Sequence, residues 1–466
     1  MKTKYIILLL AAFILSNEGV KSQEAMTLEA CRKLALENNK ATAVAARNKE
    51  KTELTEKAYR ANYLPKISAS GNYFYSTGEM NKTISGGYLP TFVPNPATGE
   101  LIPNILTVLP DGNPIFKEYA YFPDMDFALQ LNGLFQAGIS AEQPIYTGGK
   151  ITSAHKMSQI ANEIADLNQE LTHAEIIVKT DEAYWLYVQA NEMLKLAMSY
   201  RTVLDELLRN VQDAEEIGLK HKNDVLKVQV KVNEAELQIR QAENGINLSR
   251  KNLCHIMGIS LNSEVILPES FDDLLLVSRD YEGAFSNRPE YSMLEKQIQL
   301  KEQQVKLVKS DFLPKIGVRA NYGYINGLKL NGDKLIDNAS FSALVNVSIP
   351  IFQWGEGRNK VRAAQIERDM IRLQRDEITE KMELELDMAS DKCDESILEV
   401  ELTALSLEQA HENMRITGDR YKGGMETLAN YLEAQTMWQR ACIENINAKN
   451  RQRLNQTYYL KAVGAL

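Results

Sequence analysis

Tyr63-Leu64-Pro65-Lys66-Ile67 is echoed 249 residues later by Phe312-Leu313-Pro314-Lys315-Ile316, and in both places helical sequence gives way to strand sequence at the proline. Asn38, Asn72 and Tyr73 recur at the same offset as Asn287, Asn321 and Tyr322. Farther on, Pro144-Ile145-Tyr146 recurs as Pro350-Ile351-Phe352, and Gly149, Gly218, Gln229 and Gly258 recur as Gly355, Gly424, Gln435 and Gly464, now at an offset of 206. The offset drops by 43, so the first copy carries about 43 extra residues between Tyr73 and Pro144. An internal duplication means one supersecondary unit built twice and packed with pseudo-symmetry. Here that unit is a strand pair carried on very long helices.

The strand signal is alternation. From Phe127 to Ala141 the odd positions Phe127, Leu129, Leu131, Phe135, Ala137 and Ile139 are mostly apolar, and Gln130, Asn132, Gln136 and Ser140 share the other face. Fifteen residues at period two predict one long two-faced strand. Ile67/Ala69/Gly71/Tyr73/Tyr75, Ile316/Val318/Ala320/Tyr322/Tyr324 and Phe341/Ala343/Val345/Val347/Ile349 repeat the pattern. Strands that are apolar on one face and polar on the other, with Tyr near one end, suit a membrane β-barrel with a wet lumen. Four strands cannot close a barrel, and an open edge does not survive in hydrocarbon. The chain is therefore expected to oligomerise, a dimer giving eight strands and a trimer twelve. Seven of the thirteen prolines fall between Gly78 and Pro123, which reads as an irregular loop without a core, whereas the second hairpin's loop, Asn326 to Asp337, is short.

The helical signal is a 3-4 spacing held over four heptads or more. It runs through Val225, Val228, Val232, Ala235, Ile239, Ala242, Ile246, Ser249, Leu253 and Ile256, and again from Leu386 through Cys393, Val400 and Leu407 to Tyr421. Such patterns indicate coiled-coil packing. No proline or glycine interrupts Lys150 to Ile217, a stretch of about 68 residues and roughly 100 Å as helix. Gly218 and Gly423-Gly424 then break the pattern at matching positions, and each break reads as the tip of an αα-hairpin far from the strands.

The first repeat is thus expected over residues 23–258, with a β-hairpin at about 66–143 and a helical hairpin over 149–257. A connector follows at 259–279, and the second repeat spans 280–466, with its β-hairpin at about 315–350 and helical hairpin at 356–464. Residues 1–22 read as a cleaved signal peptide: Lys2 and Lys4, an apolar run from Tyr5 to Leu15, then small and polar residues. Removing them, with their net charge of +2, takes the chain from −9 to about −11, which argues against a nucleic-acid partner. Cys31 lies too far past the apolar run to carry a lipid anchor, and Cys31, Cys254, Cys393 and Cys442 are expected as buried free thiols. The five histidines never fall at metal-ligand spacing, and no Walker, GxGxxG, GxSxG or CxxC motif occurs. No cofactor, metal or catalytic site is expected, and the chain is not read as an enzyme.

Taken together, Thr27-Leu28-Glu29-Ala30, Ala35-Leu36-Glu37-Asn38-Asn39, the doubled Leu-Pro-Lys-Ile, Gln143-Pro144-Ile145-Tyr146-Thr147-Gly148-Gly149, Tyr421-Lys422-Gly423-Gly424 and Tyr431-Leu432-Glu433-Ala434-Gln435 resemble the TolC family of outer-membrane efflux proteins over almost the whole mature chain. The resemblance implies an α+β membrane protein: a homotrimer with a twelve-stranded β-barrel, four strands per chain, and a twelve-helix coiled-coil tunnel crossing the periplasm. It implies a passive exit duct of a tripartite efflux or type I secretion system. The partners implied are a periplasmic adaptor, an inner-membrane pump and outer-membrane lipid. The other reading of the same residues is a soluble periplasmic coiled-coil scaffold or adaptor, which membrane fractionation would separate from a duct.

In that family the hairpin tips close the tunnel, and Tyr421 and Asp224 match its gate tyrosine and acidic partner. Some members carry an arginine and two aspartates after the second tip where this chain has Glu426, Asn430 and Glu433. Asp213, Glu216 and Asp419 complete the expected periplasmic constriction, which reads as acidic and cation-attracting. Gly218, Leu219, Gly423, Gly424 and Met425 form the expected adaptor-docking tips, and Pro65, Pro144, Gly149, Pro314, Pro350 and Gly355 the strand–helix junctions.

Overall fold

A computed structural model of the chain describes residues 26–131, 133–267 and 287–466. The expected signal peptide and most of the expected connector lie outside the described residues. The chain divides into two compact units. One holds the described parts of Met1–Lys57 and Ala154–Val305, together with Arg362–Leu466; the other holds Ala58–Ser153 and Lys306–Val361.

The first unit is helical. Thr27 caps α1 (Leu28–Asn38), its hydroxyl accepting from the Ala30 N–H at 3.3 Å, and α2 (Lys40–Ala61) follows after Asn39. Next come α3 (Lys150–Glu216) with α4 (Lys222–Ile256), α5 (Pro289–Ser310), and α6 (Glu356–Lys422) with α7 (Leu428–Ala462). The two helical hairpins have equal arms, 67 and 35 residues in each. The 3-4 seam of α4 is the stripe that packs, with Val225, Val228, Val232, Ala235, Ser249 and Leu253 buried. On α6, Cys393 and Ser396 are buried and the rest of the seam from Leu386 to Tyr421 is half-buried.

Among the described residues three apolar clusters form along this unit, the smallest joining Tyr459 and Val463 to Leu386 and Ala389. Tyr184, Trp185 and Val188 of α3 pack with Leu253 and Cys254 of α4, with Met257 just past its end, and with Cys31 of α1. Farther along, Tyr200, Leu204, Leu207 and Val211 meet Val225, Val228 and Val232, with Leu428 of α7. Between α1, α3 and α7 lies an ion pair that no local pattern announces. Arg32 donates two hydrogen bonds to the fully buried Asp181, at 2.7 and 2.6 Å, and Thr457 donates a third at 2.7 Å. Removing one partner of such a pair leaves an uncompensated buried charge. All four cysteines are free thiols; Cys442 is half-buried, not buried as expected.

The second unit is a sheet. Strands β1 (Lys66–Phe74), β10 (Leu134–Tyr146), β11 (Lys315–Leu330) and β12 (Asp333–Ser348) pair antiparallel in that order, so the two hairpins join through β10 and β11. Two short strands extend it: β2 (Glu79–Ile84) pairs with β9 (Met125–Gln130), which reaches the end of β11 at Lys329 and Leu330. The sheet therefore has six strands but is four wide, β2 continuing the line of β1 and β9 that of β10.

Three expectations are corrected here. The alternating run Phe127–Ala141 is not one strand, because it breaks between β9 and β10 at Gly133, whose φ is +76°. The Gly78–Pro123 segment is not irregular. It forms three two-stranded ladders: β3 (Gly87–Pro90) with β8 (Tyr119–Phe122), β4 (Phe92–Pro94) with β5 (Leu101–Pro103), and β6 (Ile105–Val108) with β7 (Pro114–Phe116). The Asn326–Asp337 loop shrinks to Asn331-Gly332, with φ of 54° and 91°, as a two-residue type I′ hairpin requires.

The register separates the chemistry of the two faces. Ile67, Ala141, Ala320 and Ala343 stand in one row, and Ala69, Ile139, Tyr322 and Phe341 in the next on the same face. The opposite face carries Ser68, Ser140, Asn321 and Ser342 in one row and Lys66, Glu142, Arg319 and Leu344 in another. Ser68 and Ser140 hydrogen-bond at 2.8 Å, and Arg319 pairs with Glu142 at 2.7 Å. On the other side of the serine row Gly138 opposes Gly323, and a Cβ on Gly138 would come within 2.9 Å of the Tyr322 carbonyl oxygen. This pair leaves a hollow of about 350 Å³ on the polar face, bordered by Ser70, Ser140, Asn321 and Ser340.

Candidate functional site at the helical tips

Each helical hairpin reverses through the same hydrogen-bonded closure. At the first tip the Leu219 N–H donates to the Ala214 carbonyl at 2.8 Å and the Gly218 N–H to that of Glu215 at 2.9 Å. At the second, Met425 donates to Arg420 at 2.8 Å and Gly424 to Tyr421 at 3.0 Å. These 6→1 and 5→2 bonds are a Schellman closure, which needs a left-handed residue one place past the cap. Gly218 and Gly424 supply it with φ of +78° and +73°, and a Cβ on either would meet nothing within 4 Å. Conformation, not crowding, is what selects glycine at these two positions. Gly423 has no positive φ, and its Cβ would touch the Met425 side chain at 3.3 Å.

The apolar residue that follows such a turn usually packs back on its helix. Here Leu219 is 73% exposed and Met425 70%, and Ile217 is exposed beside them. After the second tip Thr427 caps α7, its hydroxyl accepting from the Asn430 N–H at 3.2 Å; α4 starts after His221 with no side-chain cap.

Tyr421 stacks on Tyr431 with ring centroids 5.5 Å apart and 20° between planes, and the Lys220 ammonium lies 4.8 Å from the centre of the Tyr421 ring. Burial raises the Tyr421 hydroxyl above its ordinary pKa, with the Asp224 carboxylate adding to the effect. The Tyr431 ring lies over Gly418, where a Cβ would stand 2.9 Å from a ring carbon. Sequence reading missed Gly418 and Thr427 as parts of the tips, and counted Lys220 there only as a charge, not as a partner of the Tyr421 ring. Only the position of Gly418 one turn before Tyr421 signalled it.

The expected acidic set divides in two. Glu426 accepts from the Asn430 side chain at 2.7 Å and from the Thr427 N–H at 3.1 Å, and these bonds hold its carboxyl below the ordinary range. Asp419 pairs with Arg415 at 3.1 Å, Arg415 also gripping Glu412, and Asp224 lies 3.6 Å from Lys227. Asp213, Glu216 and Glu433 are exposed and join no cluster. No group of His, Cys, Asp and Glu among the described residues could hold a metal ion.

The junction residues fall into different settings. Pro65 and Pro314 occupy the short links from α2 to β1 and from α5 to β11, and Pro350 follows β12. Pro144 does not mark a junction: β10 runs through it to Tyr146, and the ladder with β11 bulges there. The turn into α3 uses Gly148 and Gly149, at φ +65° and +87°. The turn into α6 uses Trp354 and Gly355, at +49° and +80°, so a tryptophan takes the left-handed conformation that glycine adopts in the first repeat.

Among the described residues, no helix is long and apolar enough to cross a membrane. A family model described as outer membrane efflux protein matches residues 126–259 and 281–465, more than half of the chain. The chain belongs to the outer membrane efflux protein family. This outer membrane efflux protein is similar in fold to the Campylobacter jejuni CmeC outer membrane channel, with a TM-score of 0.72 and 19% identity, covering 94% of this chain and 85% of that one. It is similar also to the outer membrane protein VceC of Vibrio cholerae, with a TM-score of 0.72 and 14% identity over 94% of this chain and 96% of that one. The alkaline protease secretion protein AprF of Pseudomonas aeruginosa is 23% identical over 235 residues, 48% of each chain, so the match spans about half of that relative. The family is one of outer membrane efflux proteins, and the solved structures that share this fold are outer membrane channels.

Proposed function

We propose that three copies of the chain form a passive exit duct. Their sheets close a twelve-stranded barrel in the outer membrane, and their helical hairpins form a periplasmic tunnel that narrows at the tips. The observation that carries this reading is the register of β1, β10, β11 and β12, which gathers apolar side chains on one face and hydroxyl, amide and charged groups on the other. That is the distribution of a barrel with lipid outside and water inside. Among the described residues no strand pairs with the outer edge of β1 or of β12, and hydrocarbon does not tolerate open edges, so neighbouring copies must pair them. Leu398, Leu402 and Leu405 form an exposed stripe on α6 that neighbouring helices would cover.

A periplasmic adaptor and an inner-membrane pump complete the system, the adaptor docking at Gly218-Leu219 and Gly423-Gly424-Met425. Tyr421, Asp224, Glu426, Asn430 and Glu433 surround the constriction together with Asp213, Glu216 and Asp419. The likeness to a protein named for alkaline protease secretion supports a secreted protein as one class of cargo. The test is fractionation followed by electrophoresis without boiling. A trimer in outer membranes that conducts ions in planar bilayers is expected, and recovery as a soluble periplasmic protein would sink the duct.

A further inference from the structure

The 43 residues by which the first repeat exceeds the second build an arm that the duct itself does not require. Its root is fixed: β2 and β9 continue the sheet, Ala128 and Asn331 exchange bonds at 2.7 and 2.9 Å, and Asp124 accepts from the Gly86 N–H at 2.6 Å. Beyond this neck, β3 and β8 form a stem, and β4·β5 and β6·β7 form two leaves. Stem and leaves meet in a closed cycle of main-chain bonds. Thr91 donates to Glu118 at 3.2 Å, Asn104 to Thr91 at 2.9 Å, and Lys117 to Asn104 at 2.7 Å. The branch is therefore a built junction and not a slack loop.

Beyond the neck every ladder among the described residues is two-stranded. Aromatic rings run along it, Tyr88 beside Tyr121 at 5.4 Å, then Tyr119, Phe116 and Phe92 at spacings of 5.9 and 6.2 Å. Tyr88 is 72% exposed, Leu101 70% and Leu106 64%. From Ser76 to Asp124 there are five acidic and two basic residues, so little charge keeps this surface in water. Isolated two-stranded hairpins are marginal, and contiguous exposed apolar surface marks an interaction site.

We propose that arms of neighbouring copies pack their aromatic and aliphatic surfaces on one another, forming a collar around the outer mouth of the duct. The proposal rests on the trimeric reading above. Connectivity gives the position: β1 and β10 lead into helices at one end, and the arm joins their other ends. Closure of the barrel would bring one arm per copy to the same mouth, where tethering makes their mutual concentration millimolar. Hydrocarbon is not the occupant, because two-stranded ladders present unpaired backbone groups along their edges. A glycan accounts for stacked rings but not for the bare aliphatic surface of Leu101, Leu106 and Val108.

The test is cysteine cross-linking of the full chain in outer membranes with a short bis-maleimide, with the wild-type chain as background. Leu101→Cys, Leu106→Cys and Tyr121→Cys are made singly. A separate chain carrying Ala69→Cys with Ala343→Cys reports the barrel seam, since β1 and β12 of one copy stand about 14 Å apart, three strand spacings. Dimer bands from each single-cysteine arm chain, and dimer and trimer bands from the two-cysteine seam chain, are expected, with the arm bands lost and the seam bands kept when Tyr88→Ser and Phe92→Ser are added. Seam bands without any arm band overturn the collar and leave the duct standing. Absence of both overturns the duct, and the collar with it. An arm band containing a different protein also overturns the collar, because the surface then serves a foreign partner.

Discussion

Gly258 is pressed against the backbone of Asn38: a Cβ there would lie 2.6 Å from the Asn38 carbonyl carbon, and φ is already +69°. The second repeat makes the same approach more loosely, Gly464 at φ +72° facing Arg288 and Asn287 at 3.2 to 3.3 Å. Gly258→Ala therefore combines left-handed strain with overpacking and is expected to cost about 2–4 kcal/mol. Gly464→Ala should cost less. Chemical unfolding of the detergent-solubilised protein, followed by circular dichroism, ranks the two, and equal midpoints would refute the asymmetry.

The stack of Tyr421 on Tyr431 spans the second tip, and an aromatic pair of this kind contributes about 0.5–1.5 kcal/mol beyond its burial. If it holds the constriction, Tyr431→Ala raises the resting conductance of the reconstituted channel, whereas Tyr421→Phe, which keeps the ring, leaves it near wild type. A Tyr431→Ala channel with unchanged conductance would remove the stack from the gate.

Glu426 and Glu433 should make the entrance cation-selective, since each lumen-facing acid becomes a ring of three in a three-fold assembly. Glu426→Gln with Glu433→Gln is expected to weaken that selectivity in reversal-potential measurements. The pH dependence has a definite sign. Bonds from Asn430 and Thr427 lower the Glu426 pKa from its ordinary 4.5. The carboxylate then persists below pH 4.5, and the stability it contributes is present above that pH and lost only in stronger acid. Anion selectivity at neutral pH would refute the reading.

Leu219 and Met425 need no special φ, so replacing them leaves the turns intact. Leu219→Asp and Met425→Asp should give normal trimers in the outer membrane that neither export nor cross-link to an adaptor. If both variants export at wild-type levels, docking lies elsewhere.

The sequence shows its long elements better than its short ones, for physical reasons. Helical period over 67 residues is redundant, so α3 and α6 read correctly almost to their ends. The break at Gly133 leaves the alternation of Phe127–Ala141 intact in phase, and period alone cannot reveal it. Strands of three or four residues, such as β4 and β5, are too short to show any period. Asn331-Gly332 was legible, being the pair a type I′ turn demands, yet the segment around it reads as a longer loop. Among the site residues, the tip glycines stood out because they interrupt a helix. The Arg32–Asp181 pair joins positions 149 apart, and no spacing rule reaches that far.

The closure of each tip uses only its own main-chain atoms, with open space around Gly218 and Gly424. What bends the chain and what the bend displays are thus written in different atoms. Leu219, Met425 and their neighbours are free to drift under selection while the turn persists unaltered. If the tips are the docking surface proposed above, a few surface substitutions there would re-address the duct to another partner without passing through a misfolded ancestor.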